Sequence, residues 1–128
     1  MANPTITHQV IMRVTGNGSP SVNGPTVSGT NEQAAVPTIN AGATNVQVPI
    51  AFPVASVLSF IITTTQPVTL KKNSTSSPGN TFSLTGTGAF TWQSTSGETN
   101  PFTVDVTTFY FTNAGANNAQ VTIRVLLP

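Results

Sequence analysis

Between Gln120 and Leu127 the apolar residues fall at every second position: Val121, Ile123, Val125 and Leu127 share one side of the chain. Side chains alternate across a strand, so this period belongs to a pleated sheet with one buried face. Val46, Val48, Ile50 and Phe52 repeat the pattern, as do Ile6, His8, Val10, Met12 and Val14. The run from Val57 to Thr65 is denser and suits a central strand covered on both faces. Shorter runs follow at Val68–Lys71, Phe82–Thr85, Ala89–Gln93, Phe102–Val106 and Thr108–Thr112. No window carries the i, i+3, i+4, i+7 spacing of an amphipathic helix. Threonine is the commonest residue, and it joins Val, Ile and Phe in fitting a half-buried pleated surface.

Turn-forming clusters separate these runs: Gly16-Asn17-Gly18-Ser19-Pro20, residues 73–80, Gly86-Thr87-Gly88, Ser96-Gly97 and residues 113–118. Eight or nine short strands so punctuated predict an all-β chain, an antiparallel β-sandwich or β-barrel, in a single domain over residues 1–128. The ten prolines fall at run starts, in loops or at strand edges, where a missing N–H does least harm. Residues 15–31 hold little apolar material. Two readings stay open for them: a surface loop, or an extended arm ordered against a neighbouring subunit.

Charge is what the chain lacks. Only 5% of its residues are ionised types, against about 25% in an average soluble domain. A net charge of +1 supplies no field to hold a polyanion, so no nucleic-acid partner is expected. Lys71-Lys72 is the one adjacent basic pair and reads as a solvated strand end. With no cysteine there is neither a disulfide framework nor a thiolate site. The opening MANPTITHQV lacks the basic start and apolar run of a signal peptide. The longest apolar stretch, residues 48–62, is broken by Pro49 and Pro53 and falls short of the roughly 20 residues of a bilayer span, so no membrane partner is expected.

Catalytic chemistry has little to draw on. Glu98 and Asp105 could be set as a glycosidase pair, but they flank the turn-like Thr99-Asn100-Pro101 with no accompanying motif. His8 is the only histidine, so a zinc or iron site would need scattered carboxylates, and no G-x-S-x-G elbow marks a serine nucleophile. His8 reads instead as a satisfied strand residue. Gly16-Asn17-Gly18 and Gly86-Thr87-Gly88 lack the third glycine of a dinucleotide loop. No enzyme, metal or cofactor is expected. Trp92 and Tyr110 could form a sugar-binding platform, although aromatic rings at these spacings more often pack between sheets.

Near-neutrality has a structural corollary. Sheet edges are usually guarded by charge, and this chain has hardly any to use. Leu126 and Leu127 cannot both enter one core, so one must meet the opposite sheet face, another subunit or water. Uncharged Thr, Asn, Ser and Gln suit surfaces that are wet before assembly and dry after it. Partners covering edges and apolar patches are the expectation.

The stretch from Gln66-Pro67-Val68-Thr69-Leu70-Lys71-Lys72 to Phe82-Ser83-Leu84, with Trp92, Asn100-Pro101-Phe102, Asp105-Val106-Thr107 and Phe111-Thr112-Asn113-Ala114, resembles small proteins encoded among tailed-bacteriophage structural genes. The likeness covers about residues 55–128. It implies a virion component, a head decoration (cement) protein on the capsid surface. Such proteins are commonly β-rich and trimeric and bridge junctions between major capsid protein subunits. Self-association and the major capsid protein are then the expected partners. The contacts are expected from residues 1–8 and 15–31, with Pro4, Ile6, Pro20, Val22, Pro25, Val27 and Leu126 as candidates. A tail, neck or fibre module is the alternative within virions, and a carbohydrate-binding sandwich the alternative outside them.

Overall fold

The computed structural model describes residues 4–13, 21–23, 26–76 and 81–128, with 12, 13 and 21–23 described by backbone alone. Thirteen strands make up almost all the regular structure among them, with no α-helix. They are β1 (Ile6–His8), β2 (Ile11–Arg13), β3 (Ser21–Asn23), β4 (Val27–Gly29), β5 (Asn31–Ala35), β6 (Thr38–Ile39) and β7 (Val46–Phe52). The rest are β8 (Ser59–Thr64), β9 (Val68–Lys72), β10 (Thr81–Leu84), β11 (Ala89–Gln93), β12 (Val106–Thr112) and β13 (Ala119–Leu127).

Two antiparallel sheets pack face to face. One runs β10-β9-β12-β7; the other runs β11-β8-β13-β5, with β6 also paired to β13. Numbering β5 and β7 to β13 as strands one to eight gives orders 5-4-7-2 and 6-3-8-1, the connectivity of a jelly roll. The fold is therefore an open sandwich and not a closed barrel. The period-two runs explain why. Val121, Ile123 and Val125 of β13, Phe60 and Ile62 of β8, Phe109 and Phe111 of β12, and Val48, Ile50 and Phe52 of β7 all point into the one layer between the sheets. Burying a side chain of this kind is worth roughly 1.5–3 kcal/mol, so this layer supplies most of the driving force.

Phe102 occupies the centre of that layer without belonging to a strand. Its ring lies 4.8 Å from Phe60, 5.3 Å from Phe82, 5.5 Å from Phe109 and 5.9 Å from both Phe52 and Phe90. The expected strand over Phe102–Val106 is thus a loop up to Val106. The Phe102 N–H donates to Asn100 Oδ1 at 2.9 Å, which turns the backbone and drops the ring inward.

Strands β3 to β6 were not among the expected runs. The residues of β5, Asn31-Glu32-Gln33-Ala34-Ala35, have little strand preference, and pairing with β13 imposes the conformation from outside. Lys72 also departs from expectation. It sits opposite Phe109 on the inward face of β9 and is 2% exposed, not a solvated strand end. Its Nζ donates to Thr103 Oγ1 at 3.5 Å, and burial lowers its pKa from the usual lysine value.

Candidate functional site: an anchored N-terminal hairpin

The N-terminal residues form a hairpin outside both sheets. Ile6, Thr7 and His8 pair with Gly29, Ser28 and Val27; further out, Ile11, Met12 and Arg13 pair with Asn23, Val22 and Ser21. Between these ladders three steps on the outgoing strand match four on the returning one, so the register shifts by one residue. Of residues 15–31, the described segments 21–23 and 27–29 are thus the returning side of a paired arm, and residues 15–20, 24 and 25 lie outside the described residues.

The root of this hairpin lies across the outer face of the β11-β8-β13-β5 sheet. Leu126 and Val27 are both buried there, at 0% and 6% exposure, although neither joins the inter-sheet core. Leu127 faces the core, so the hairpin covers the residue that alternation turns outward. Gly29 makes this possible. A Cβ at that position would collide with the Leu127 carbonyl oxygen and press on the Leu126 side chain.

A buried polar cluster fastens the same contact. His8 is 5% exposed; its Nε2 lies 2.8 Å from Glu32 Oε2 and its Nδ1 lies 3.1 Å from Ser59 Oγ. Nε2–H donates to the carboxylate, and Nδ1 pairs with the Ser59 hydroxyl. Glu32 Oε1 takes two more hydrogen bonds, from Arg124 Nε at 3.0 Å and Nη2 at 2.7 Å. Burial pushes the Glu32 carboxyl up, but the hydrogen bonds and charges of Arg124 and His8 outweigh it and hold its pKa below the usual range. Four strands meet here: β1 brings the imidazole, β5 the carboxylate, and the core strands β8 and β13 the hydroxyl and the guanidinium.

Serine, histidine and glutamate in hydrogen-bonded sequence have the outline of a hydrolytic triad. Accessibility argues against that use, because Ser59 has no exposed surface and its hydroxyl cannot meet a substrate in this fold. The cluster is built to hold the hairpin.

The partner-contact candidates divide accordingly. Pro4 is exposed and Ile6 half-buried at the hairpin root. Val22 lies in β3, described by its backbone, while Pro20 and Pro25 lie outside the described residues. Val27 and Leu126 are corrected: they pack against each other's elements within one chain and offer no surface to a partner. Sequence reasoning missed Ile11, 59% exposed where the arm leaves the sheet. Alternation itself turns it out, on the side of Thr7 and Gln9 and opposite His8.

Other candidate chemistry is dispersed. Asp105 Oδ1 accepts the Val54 N–H at 2.9 Å and so caps the 3-10 turn Val54–Ser56, while Glu98 is exposed. Trp92 stacks on Phe60 from the inward face of β11, and Tyr110 lies on the outward face of β12 in the other sheet, so the two rings share no platform. A groove of about 360 Å³ over Val68, Leu84, Thr112 and Gly115 has no titratable residue in its walls. Among the described residues, no three His, Cys, Asp or Glu side chains cluster as metal ligands. Compared with known proteins, the chain matches no family model, no curated protein and no solved structure.

Proposed function

We propose that this protein is a non-enzymatic structural component of a phage virion, a decoration protein that stabilises the head by bridging major capsid protein subunits. The observation that carries the reading is the arm: a hairpin rooted by the buried His8–Glu32 contact and carrying an exposed Ile11, on a domain almost without charge. An arm fixed at its root that carries an exposed apolar side chain suits docking on a neighbouring surface. Low charge suits faces that lose water on assembly. The jelly roll agrees by analogy, since viral coat domains use it, but lectins and cupins use it too. Each contact can be weak, because a lattice of identical capsid sites makes binding multivalent.

Binding of the purified protein to expanded, undecorated heads tests this, with bound copies counted per particle. The proposal expects saturable binding at hundreds of copies, at least tenfold weaker for Ile11→Ser. No binding to heads overturns it, and recovery in tails or necks at tens of copies or fewer assigns the protein there instead.

A further inference from the structure

The two lateral sides of the sandwich differ. On one, β7 carries Pro49 within the strand and β5 carries Glu32, two of the usual guards against unwanted strand pairing. On the other, β11 ends its sheet with the sequence Ala89-Phe90-Thr91-Trp92-Gln93, which has neither charge nor proline. Its register with β8 identifies which backbone groups face outward. Ser94 N–H donates to Leu58 O at 2.8 Å in continuation of the ladder Trp92↔Phe60 and Phe90↔Ile62. The even-numbered residues therefore exchange hydrogen bonds with β8, and Ala89 and Thr91 turn their N–H and C=O groups toward the open side.

That arrangement is self-complementary. Two β11 strands brought together antiparallel about Thr91 would place Thr91 opposite Thr91 as a hydrogen-bonded pair, the Thr91 N–H of each copy donating to the Thr91 carbonyl of the other, while Gln93 O, opposite Ala89 in that register, already accepts from the Ser96 N–H at 3.0 Å. The same register sets Phe90 opposite Trp92 twice, on the inward face. Both rings are half-buried in the single chain and would gain cover from each other. Threonine pairs and aromatic pairs are among the favourable cross-strand neighbours, and no like charges face one another. The arm points the same way. His8 lies over Ser59 of β8, Val10 lines a groove with Thr91 and Trp92 of β11, and Ile11 beyond it is exposed. The hairpin thus crosses its own sheet toward the edge where a second copy would sit.

We propose that β11 is a self-association edge, through which two copies join their sheets across a two-fold axis centred on Thr91. The contact is isologous, so it yields a dimer in place of the three-fold assembly that the phage resemblance implies. It does not rest on the capsid reading and is tested on the isolated protein.

Because the chain has no cysteine, Thr91→Cys is a clean probe. Opposed residues of a hydrogen-bonded pair have Cα atoms about 5.5 Å apart, within disulfide reach. Ala89→Cys is the control, since two copies of residue 89 would lie roughly 13 Å apart along the strands. The proposal expects wild-type protein at twice its 13.2 kDa chain mass by sedimentation, and oxidative cross-linking of Thr91→Cys at least tenfold faster than of Ala89→Cys. Thr91→Pro, which removes an N–H that β8 does not use, is expected to leave a folded monomer. A wild type that stays monomeric at millimolar concentration overturns the proposal. So do equal cross-linking of the two cysteine variants and a folded Thr91→Pro that remains dimeric.

Discussion

The sheet β11-β8-β13-β5 is covered along its inner face and, at the end that holds Ser59 and Leu126, on its outer face, by two different means. Its inner face meets the other sheet through aliphatic side chains and a run of phenylalanine rings, held by area and shape alone. Its outer face is covered by the hairpin root, where Val27 and Leu126 are few and the polar set His8, Glu32, Ser59 and Arg124 supplies the fastening. A chain with three acidic and four basic residues places one of each in this cluster. The difference is one of design. Burial without direction builds the body, while directional bonds fix one added element in one place.

If the two regions are separable in this way, damage to one should not spread as damage to the other does. The largest effect is expected from Phe102→Ala, which empties the centre of the aromatic layer. Denaturant unfolding should show a loss of about 3–5 kcal/mol, with hydrogen-exchange protection falling in both sheets together. A smaller loss confined to one sheet would mean that the layer is not a single unit.

Glu32→Gln should cost less, about 1–3 kcal/mol, and locally. It removes the carboxylate from Arg124 and His8, so exchange in β1 and β4 should rise well before exchange in β8. Equal loss in β1 and β8 would erase the distinction drawn above. The pH dependence has a defined sign. Glu32 is held below its usual pKa in the fold, so its contribution is complete above the ordinary carboxylate range and is lost as pH falls through the lowered value. Acid should therefore free the hairpin of wild type before the body unfolds, read by exchange or by Val27 methyl resonances, and Glu32→Gln should flatten that response.

The smallest effect is expected at Lys72, whose substitution should stabilise although its pH dependence has the same sign as that of Glu32. Its pKa is lowered in the fold by burial, so the unfolded chain binds the extra proton and stability should climb as pH rises through the interval between the two values. Lys72→Met keeps the stem and deletes the buried ammonium, a gain on the order of 1 kcal/mol near neutral pH. A loss of stability in that variant would show that the bond to Thr103 outweighs the burial.

The apolar runs identified β7 to β13 within a residue or two, because the period of two is written in their side chains. The same signal placed His8 in a strand and left Leu126 and Leu127 in conflict, which was correct as a constraint. It failed where a partner rather than the local sequence dictates conformation: β5 is a strand because β13 is beside it, and Phe102 is core because a turn delivers it.

What the amino-acid sequence determined by itself was therefore the class: all-β, short strands, one apolar layer and almost no ionic chemistry. Strand order, the meeting of His8 with Ser59 and Glu32, and the inward turn of Lys72 came only with the tertiary structure. The physical reason is range. Periodicity and turn chemistry act over a few residues, while these contacts join positions separated by 24 to 51 residues or more and exist only once the sheets have packed.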